Sequence, residues 1–244
     1  MDPTPANPRS CSSPAAVERR LLAWLALAAV GMTLVGFART YLLTPVLGRP
    51  PGTPPYSMVI HFHAAVFFGW CVFFVAQCWF VAGNRIALHR RMGLAGLLIF
   101  LGMVITGPCV ALHAVRRHGE SNDELSFLAV SLANVLAYSV ILGAGFLWRR
   151  QPAIHKRLMM LGMVPLLTAP FGRLAEYPYL LQHVLGPGMV VIALALIDRR
   201  VQGRIHPVTQ FVGIAALVWE ILPNAIMNTA TWRGFASWLV RLTA

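Results

Sequence analysis

Leu21 to Ala38 reads LLAWLALAAVGMTLVGFA, 18 residues without a charge, held between Arg19-Arg20 and Arg39. As a helix rising 1.5 Å per residue, such a run covers most of a hydrocarbon core about 30 Å thick. Comparable runs recur near 57–82, 92–114, 125–148, 158–175, 180–198 and 208–230. Charged residues make up 11% of the 244-residue chain and hydrophobic ones 57%, whereas soluble domains carry about 25% charged residues. The pattern predicts an all-α polytopic membrane bundle with seven transmembrane helices over 21–230. A disordered tail is expected over 1–20 and a short amphipathic interfacial tail over 231–244.

The net charge of +12 is not spread evenly. Thirteen of the 20 basic residues fall in the N-terminal segment and every second gap: Arg9, Arg19, Arg20; Arg85, Arg90, Arg91; Arg149, Arg150, Lys156, Arg157; Arg199, Arg200, Arg204. The other gaps hold Arg49, Arg116 and Arg117, with Arg233 and Arg241 in the tail. This alternation is what the positive-inside rule produces, so the N-terminus is expected in the cytoplasm and the C-terminus outside. It points to a lipid bilayer as the partner and away from nucleic acid. Nineteen arginines against one lysine suggest a GC-rich bacterial genome, hence the bacterial cytoplasmic (inner) membrane. The first apolar run exceeds the usual signal-peptide core of about 7–15 residues, so an uncleaved anchor is expected.

Cys11, Cys71, Cys78 and Cys109 form no CxxC pair, and neither a disulfide framework nor a structural metal site is expected. Residues 45–55, rich in Pro and Gly, read as an extended loop, and 116–124 as a solvated one. A tight turn is expected around Tyr177-Pro178-Tyr179. Phe235, Trp238, Leu239 and Leu242 form one stripe of the tail, which should lie on the outer surface.

Polar groups within apolar runs are costly and therefore informative, roughly 2.5–3.5 kcal/mol for a charge near the bilayer centre. His63, Trp70 and Gln77 recur every seven residues and share a helix face, whereas His61 points about 200° away from His63 on a regular helix. The fifth run carries Pro165, Pro170, Arg173 and Glu176. The seventh carries Glu220, Asn224 and Asn228 on one stripe. His61, His63, Gln77, Arg173, Glu220 and Asn224 are thus expected to form an intramembrane polar cluster, with Arg173 and Glu220 facing a common interior. By depth, His61, His63, His113, Arg173 and Glu220 fall in the outer half, with His118 and His183 near the outer interface.

Three basic turns repeat a histidine motif: Ala87-Leu88-His89-Arg90-Arg91, Ala153-Ile154-His155-Lys156-Arg157 and Arg204-Ile205-His206-Pro207. Such histidines can anchor turns among lipid phosphates or hold a cofactor. The order HFHA, Trp70, Gln77, LHRRMG, IHKRLMMLG, FGRL, IHPVT resembles a widespread uncharacterised family of bacterial multi-pass membrane proteins, over about three quarters of the chain. A more distant likeness is to cytochrome b561-type proteins, in which histidines on neighbouring helices hold b-type haem. That likeness implies cofactor-binding pairs: His63 with His113 at the outer level and His89 with His155 at the inner level.

No catalytic residues are identified. Hydrolytic triad, phosphate loop and HExxH motifs are all missing from the sequence. Three functions stay open at this point: electron transfer linked to haem b or quinone, proton-coupled transport of a small molecule, and a non-catalytic assembly or sensory role.

Overall fold

The computed structural model describes residues 13–51, 53–174 and 184–243. Every regular element among them is helical, and five helical stretches are long and apolar enough to cross a membrane.

The first begins at α1 (Pro14–Phe37), where the Ser13 hydroxyl accepts from Ala16 N and proline occupies the first turn, a favoured helix start. The expected disordered tail over 1–20 is therefore too long: residues 14–20 are helical, and 1–12 lie outside the described residues. A π turn (Ala38–Leu42) and α2 (Thr44–Leu47) continue the same rod. The loop after it thus begins at Gly48, whose φ of 72° is left-handed, rather than at Pro45.

Helices α3 (Met58–Ala82) and α4 (Ile86–His118) form a hairpin closed at Asn84, φ 60°. Helix α4 stops at Gly119, φ 91°, and α5 (Asn122–Leu147) starts on a Ser121 cap with Asp123 and Glu124 in its first turn. Acidic residues there complement the helix dipole.

The fifth apolar run is not one helix. It divides into α6 (Pro152–Leu161) and α7 (Val164–Phe171), with a turn at Gly162-Met163 and Pro165 in the first turn of α7. A proline at that point cannot donate to the preceding turn and crowds it. Broken backbone is tolerated at membrane depth only where protein surrounds it. Met160, Leu161, Met163, Val164 and Leu167 are accordingly buried, and α6–α7 packs among α1, α5 and the two helices that follow.

Those are α8 (Gly186–Gln202), with 17 residues, and α9 (Pro207–Ile226). The turn expected at 177–179, with Glu176 and His183, lies outside the described residues. Helix α10 (Ala230–Leu242) buries Ala236 and Val240 against α4 and α5, and Trp232 Nε1 donates to the Leu125 carbonyl at 2.8 Å. Its Phe235, Trp238 and Leu242 stay exposed.

Large apolar side chains also stand exposed around the rods, among them Val72, Leu94, Leu98, Ile105, Val140, Ile192, Phe211 and Val218. A continuous apolar exterior of this kind suits hydrocarbon rather than water. Fold and surface define a helical protein consistent with multi-pass membrane insertion.

Candidate functional site

Polar side chains gather at two places near the basic end of the bundle, and more loosely toward the opposite end. The first place joins α4 and α6. His89 and His155 are both the fourth residue of their helix, so each projects one turn in from the basic end. Their ring centroids are 6.2 Å apart with planes at 67°. His155 Nδ1 lies 2.8 Å from the Gly145 carbonyl of α5. A carbonyl only accepts, so the proton sits on Nδ1 and Nε2 keeps a free lone pair. His89 Nδ1 is buried and finds no partner among the described residues; neither do both amide atoms of Gln77 and Nε1 of Trp70. Phe146, next to Gly145, packs against Phe100 and Trp70. The expected inner histidine pair is thus brought together.

The outer pair is not. His63 stacks on Phe67 with centroids 4.2 Å apart, while His113 Nε2 meets the Ser57 hydroxyl at 2.7 Å. His61 turns the other way, Nδ1 to the Tyr41 hydroxyl at 2.8 Å, as the 200° offset requires.

The expected clasp between Arg173 and Glu220 does not form. The Arg173 guanidinium lies over the Phe37 ring, 4.5 Å from its centroid, and donates to the Ala169 carbonyl at 2.7 Å. Glu220 is 2% exposed and accepts from the Thr168 hydroxyl at 2.6 Å, leaving Oε1 without a partner among the described residues. Arg173 stands just beyond the end of α7, where a cation is favoured by the helix carbonyls; Thr168, one turn earlier, faces α9 instead. Asn224 donates to the Ile221 carbonyl of its own helix at 3.1 Å. Gln77 belongs with His89 near the basic end. Of the polar cluster expected from sequence, Arg173 lies near enough to His63 for its charge to act on that imidazole, while Gln77, Glu220 and Asn224 are placed separately.

A second place at the basic end escaped sequence reasoning. Arg157, 0% exposed, donates from Nε to Asp198 Oδ1 at 3.0 Å and from Nη2 to the same oxygen at 2.5 Å. Asp198 Oδ2 also accepts from the Thr209 hydroxyl at 2.6 Å and from His206 N at 3.1 Å. Glu18 receives Lys156 at 2.5 Å, with Arg157 and Gln202 each at 3.5 Å. One network so joins α1, α6, α8 and α9. His206 caps α9, its Nδ1 accepting from Val208 N at 3.1 Å. Burial, then the Arg157 charge, lowers its pKa below the ordinary 6.5; Asp198 opposes this and Lys156 and Arg204 add to it, keeping Nδ1 free to accept. The available signal was compositional: Glu18 and Asp198 are two of only eight acidic residues, set among arginines.

Comparison with protein-family models, curated proteins and solved structures finds no match. The class rests on the fold and its apolar surface, a multi-helix protein suited to a lipid bilayer.

Proposed function

We propose that this chain is a seven-crossing protein of the bacterial cytoplasmic membrane that carries electrons through one b-type haem held by His89 and His155. The broken α6–α7 segment and the 17-residue α8 serve as the fifth and sixth crossings. The alternation of basic gaps puts the N-terminus inside and the C-terminus outside.

The observation carrying this function is the half-buried meeting of two imidazoles from different helices, each one turn in from the basic end, 6.2 Å between centroids. The donor set suits haem iron: imidazole is a common axial ligand, and a ring nitrogen tied to a backbone carbonyl fixes the tautomer and leaves the other nitrogen for the metal. His155 meets that requirement through Gly145, and His89 supplies a buried Nδ1 without a partner among the described residues. When bound, haem supplies one-electron oxidation and reduction. His89 of α4 and His155 of α6 would hold the iron, with the Arg90 and Lys156 charges next to them in the chain. His63 and His113 have separate partners, so one haem is expected, not two.

An optical spectrum of protein purified from haem-replete cells tests this directly. A Soret band should appear, vanish in His89→Ala and His155→Ala, and persist in His63→Ala and His113→Ala. Colourless wild-type protein would refute haem binding.

A further inference from the structure

Two tryptophans from different helices meet on the outside of the bundle near its basic end. Trp24 of α1 and Trp79 of α3 are 58% and 40% exposed, their ring centroids 5.3 Å apart and their planes at 78°. Further along, Phe37 of α1 meets Phe68 of α3, so the two helices run antiparallel and each contact marks one level on both. Both belong to stretches long and apolar enough to cross a membrane. An exposed indole, apolar in body with one N–H to satisfy, belongs where hydrocarbon gives way to headgroups.

Arginine stands beyond that level on each helix. Arg20 lies one turn before Trp24 on the same face of α1, about 6 Å nearer the basic end. Arg85 completes the turn Gly83-Asn84-Arg85 that follows α3. Both are exposed, and neither makes an ion pair among the described residues. The two described carboxylates at this end are already engaged, Glu18 by Lys156 and Asp198 by Arg157 and Thr209. The counter-charge for Arg20 and Arg85 therefore comes from outside the chain. Beside a tryptophan pair at the edge of hydrocarbon, the anion at hand is a lipid phosphate. A guanidinium suits it, because its planar fork can donate two N–H bonds to one phosphate.

We propose that Arg20, Arg85 and the Trp24–Trp79 pair form a binding site for an anionic phospholipid. The guanidiniums hold its phosphate, and the indoles support its glycerol and upper acyl chains. This goes beyond the haem and needs only that the apolar rods lie in a bilayer.

Native mass spectrometry of the full-length protein in detergent micelles tests the site, with phosphatidylglycerol and phosphatidylcholine of the same acyl chains titrated separately. Saturable binding of phosphatidylglycerol is expected, tighter than that of phosphatidylcholine. Arg20→Gln and Arg85→Gln should each weaken it about fivefold, which corresponds to the roughly 1 kcal/mol that one basic residue contributes at an anionic surface. The double variant Arg149→Gln, Arg150→Gln removes two charges from another turn of the same end and should bind as wild type. All four arginines are exposed, so every variant should melt like wild type, which separates lost binding from lost fold. Equal affinity for the two lipids would overturn the site. So would an equal loss in the Arg149, Arg150 double variant, the mark of a diffuse positive surface, or displacement of the lipid by inorganic phosphate at matched ionic strength. A colourless protein that binds phosphatidylglycerol in this way would refute the haem and leave the lipid site standing.

Discussion

Replacing Asp198 by alanine should be among the most damaging single changes in this chain. Asp198 is 1% exposed and Arg157 0%, and between them run contacts at 2.5, 3.0 and 3.3 Å. Without the carboxylate, the guanidinium keeps only the Ala153 carbonyl at 2.6 Å and Glu18 at 3.5 Å. The Thr209 hydroxyl and His206 N–H lose their acceptor at the same time. Breaking one side of a buried pair costs about 3–5 kcal/mol, because an uncompensated charge stays behind. For a chain of this size that corresponds to roughly 6–20 °C in melting temperature. Glu18→Ala should cost less, since Arg157 keeps its closer Asp198 contacts and the Lys156 ammonium, 30% exposed on its side chain, can turn to water. Thermal unfolding in detergent, followed by intrinsic fluorescence at one fixed scan rate, gives the ranking. The double variant Arg157→Met, Asp198→Leu should recover much of the loss, as apolar replacement of a buried pair often does. If Asp198→Ala melted within about 2 °C of wild type, the guanidinium could not be buried as described.

Gly36→Ala should destabilise by about 1–3 kcal/mol, the usual range for overpacking. A Cβ there would stand 2.5 Å from the Cβ and the carbonyl oxygen of Pro170, so α1 and α7 would have to separate. Gly31→Ala, with nothing within 4 Å, is the neutral or stabilising control in the same melting assay. The lowered pKa of His206 predicts acid sensitivity. Its folded value lies below the ordinary 6.5, so the unfolded chain binds the proton more readily. The stability it contributes is complete above that value and is lost as pH falls through the folded one, when Nδ1 can no longer accept from Val208 N. A melting series from neutral to mildly acidic pH should show this slope in wild type and a flatter one in His206→Ala, which should also lose about 1 kcal/mol of capping at neutral pH.

Much of the fold was legible because apolar length is a local property: each long rod can be read without knowing its neighbours. The break at Gly162-Met163 was signalled by Pro165, but proline alone does not distinguish a bend from a division into two short helices. His89 and His155 were legible as a pair only through the likeness to cytochrome b561-type proteins, each standing in one of the repeated basic histidine turns. Arg173 and Glu220 were misjudged for the opposite reason. Counting residues gives depth along a helix but not the direction a side chain faces, and Arg173, beyond the end of α7, lies over Phe37. Glu18 and Asp198 were missed because one sat in a supposed tail and the other at the edge of an apolar run. Their partners, Lys156 and Arg157, fall in a basic gap whose pattern reads as membrane-surface charge.

How well each polar group is satisfied separates the two places at the basic end. Both carboxylate oxygens of Asp198 are engaged by side chains or backbone from neighbouring elements, as expected of a group whose work is to hold α6, α8 and α9 together. Trp70, Gln77 and His89 instead carry four buried atoms without a partner among the described residues. At about 1–3 kcal/mol for each unsatisfied group, leaving them so would cost an amount comparable to the Asp198–Arg157 pair itself. Apolar side chains would fit the same aromatic surroundings without that cost. Structural need therefore accounts for the Asp198 network, whereas nothing in the packing around Gln77 and His89 requires their polar atoms.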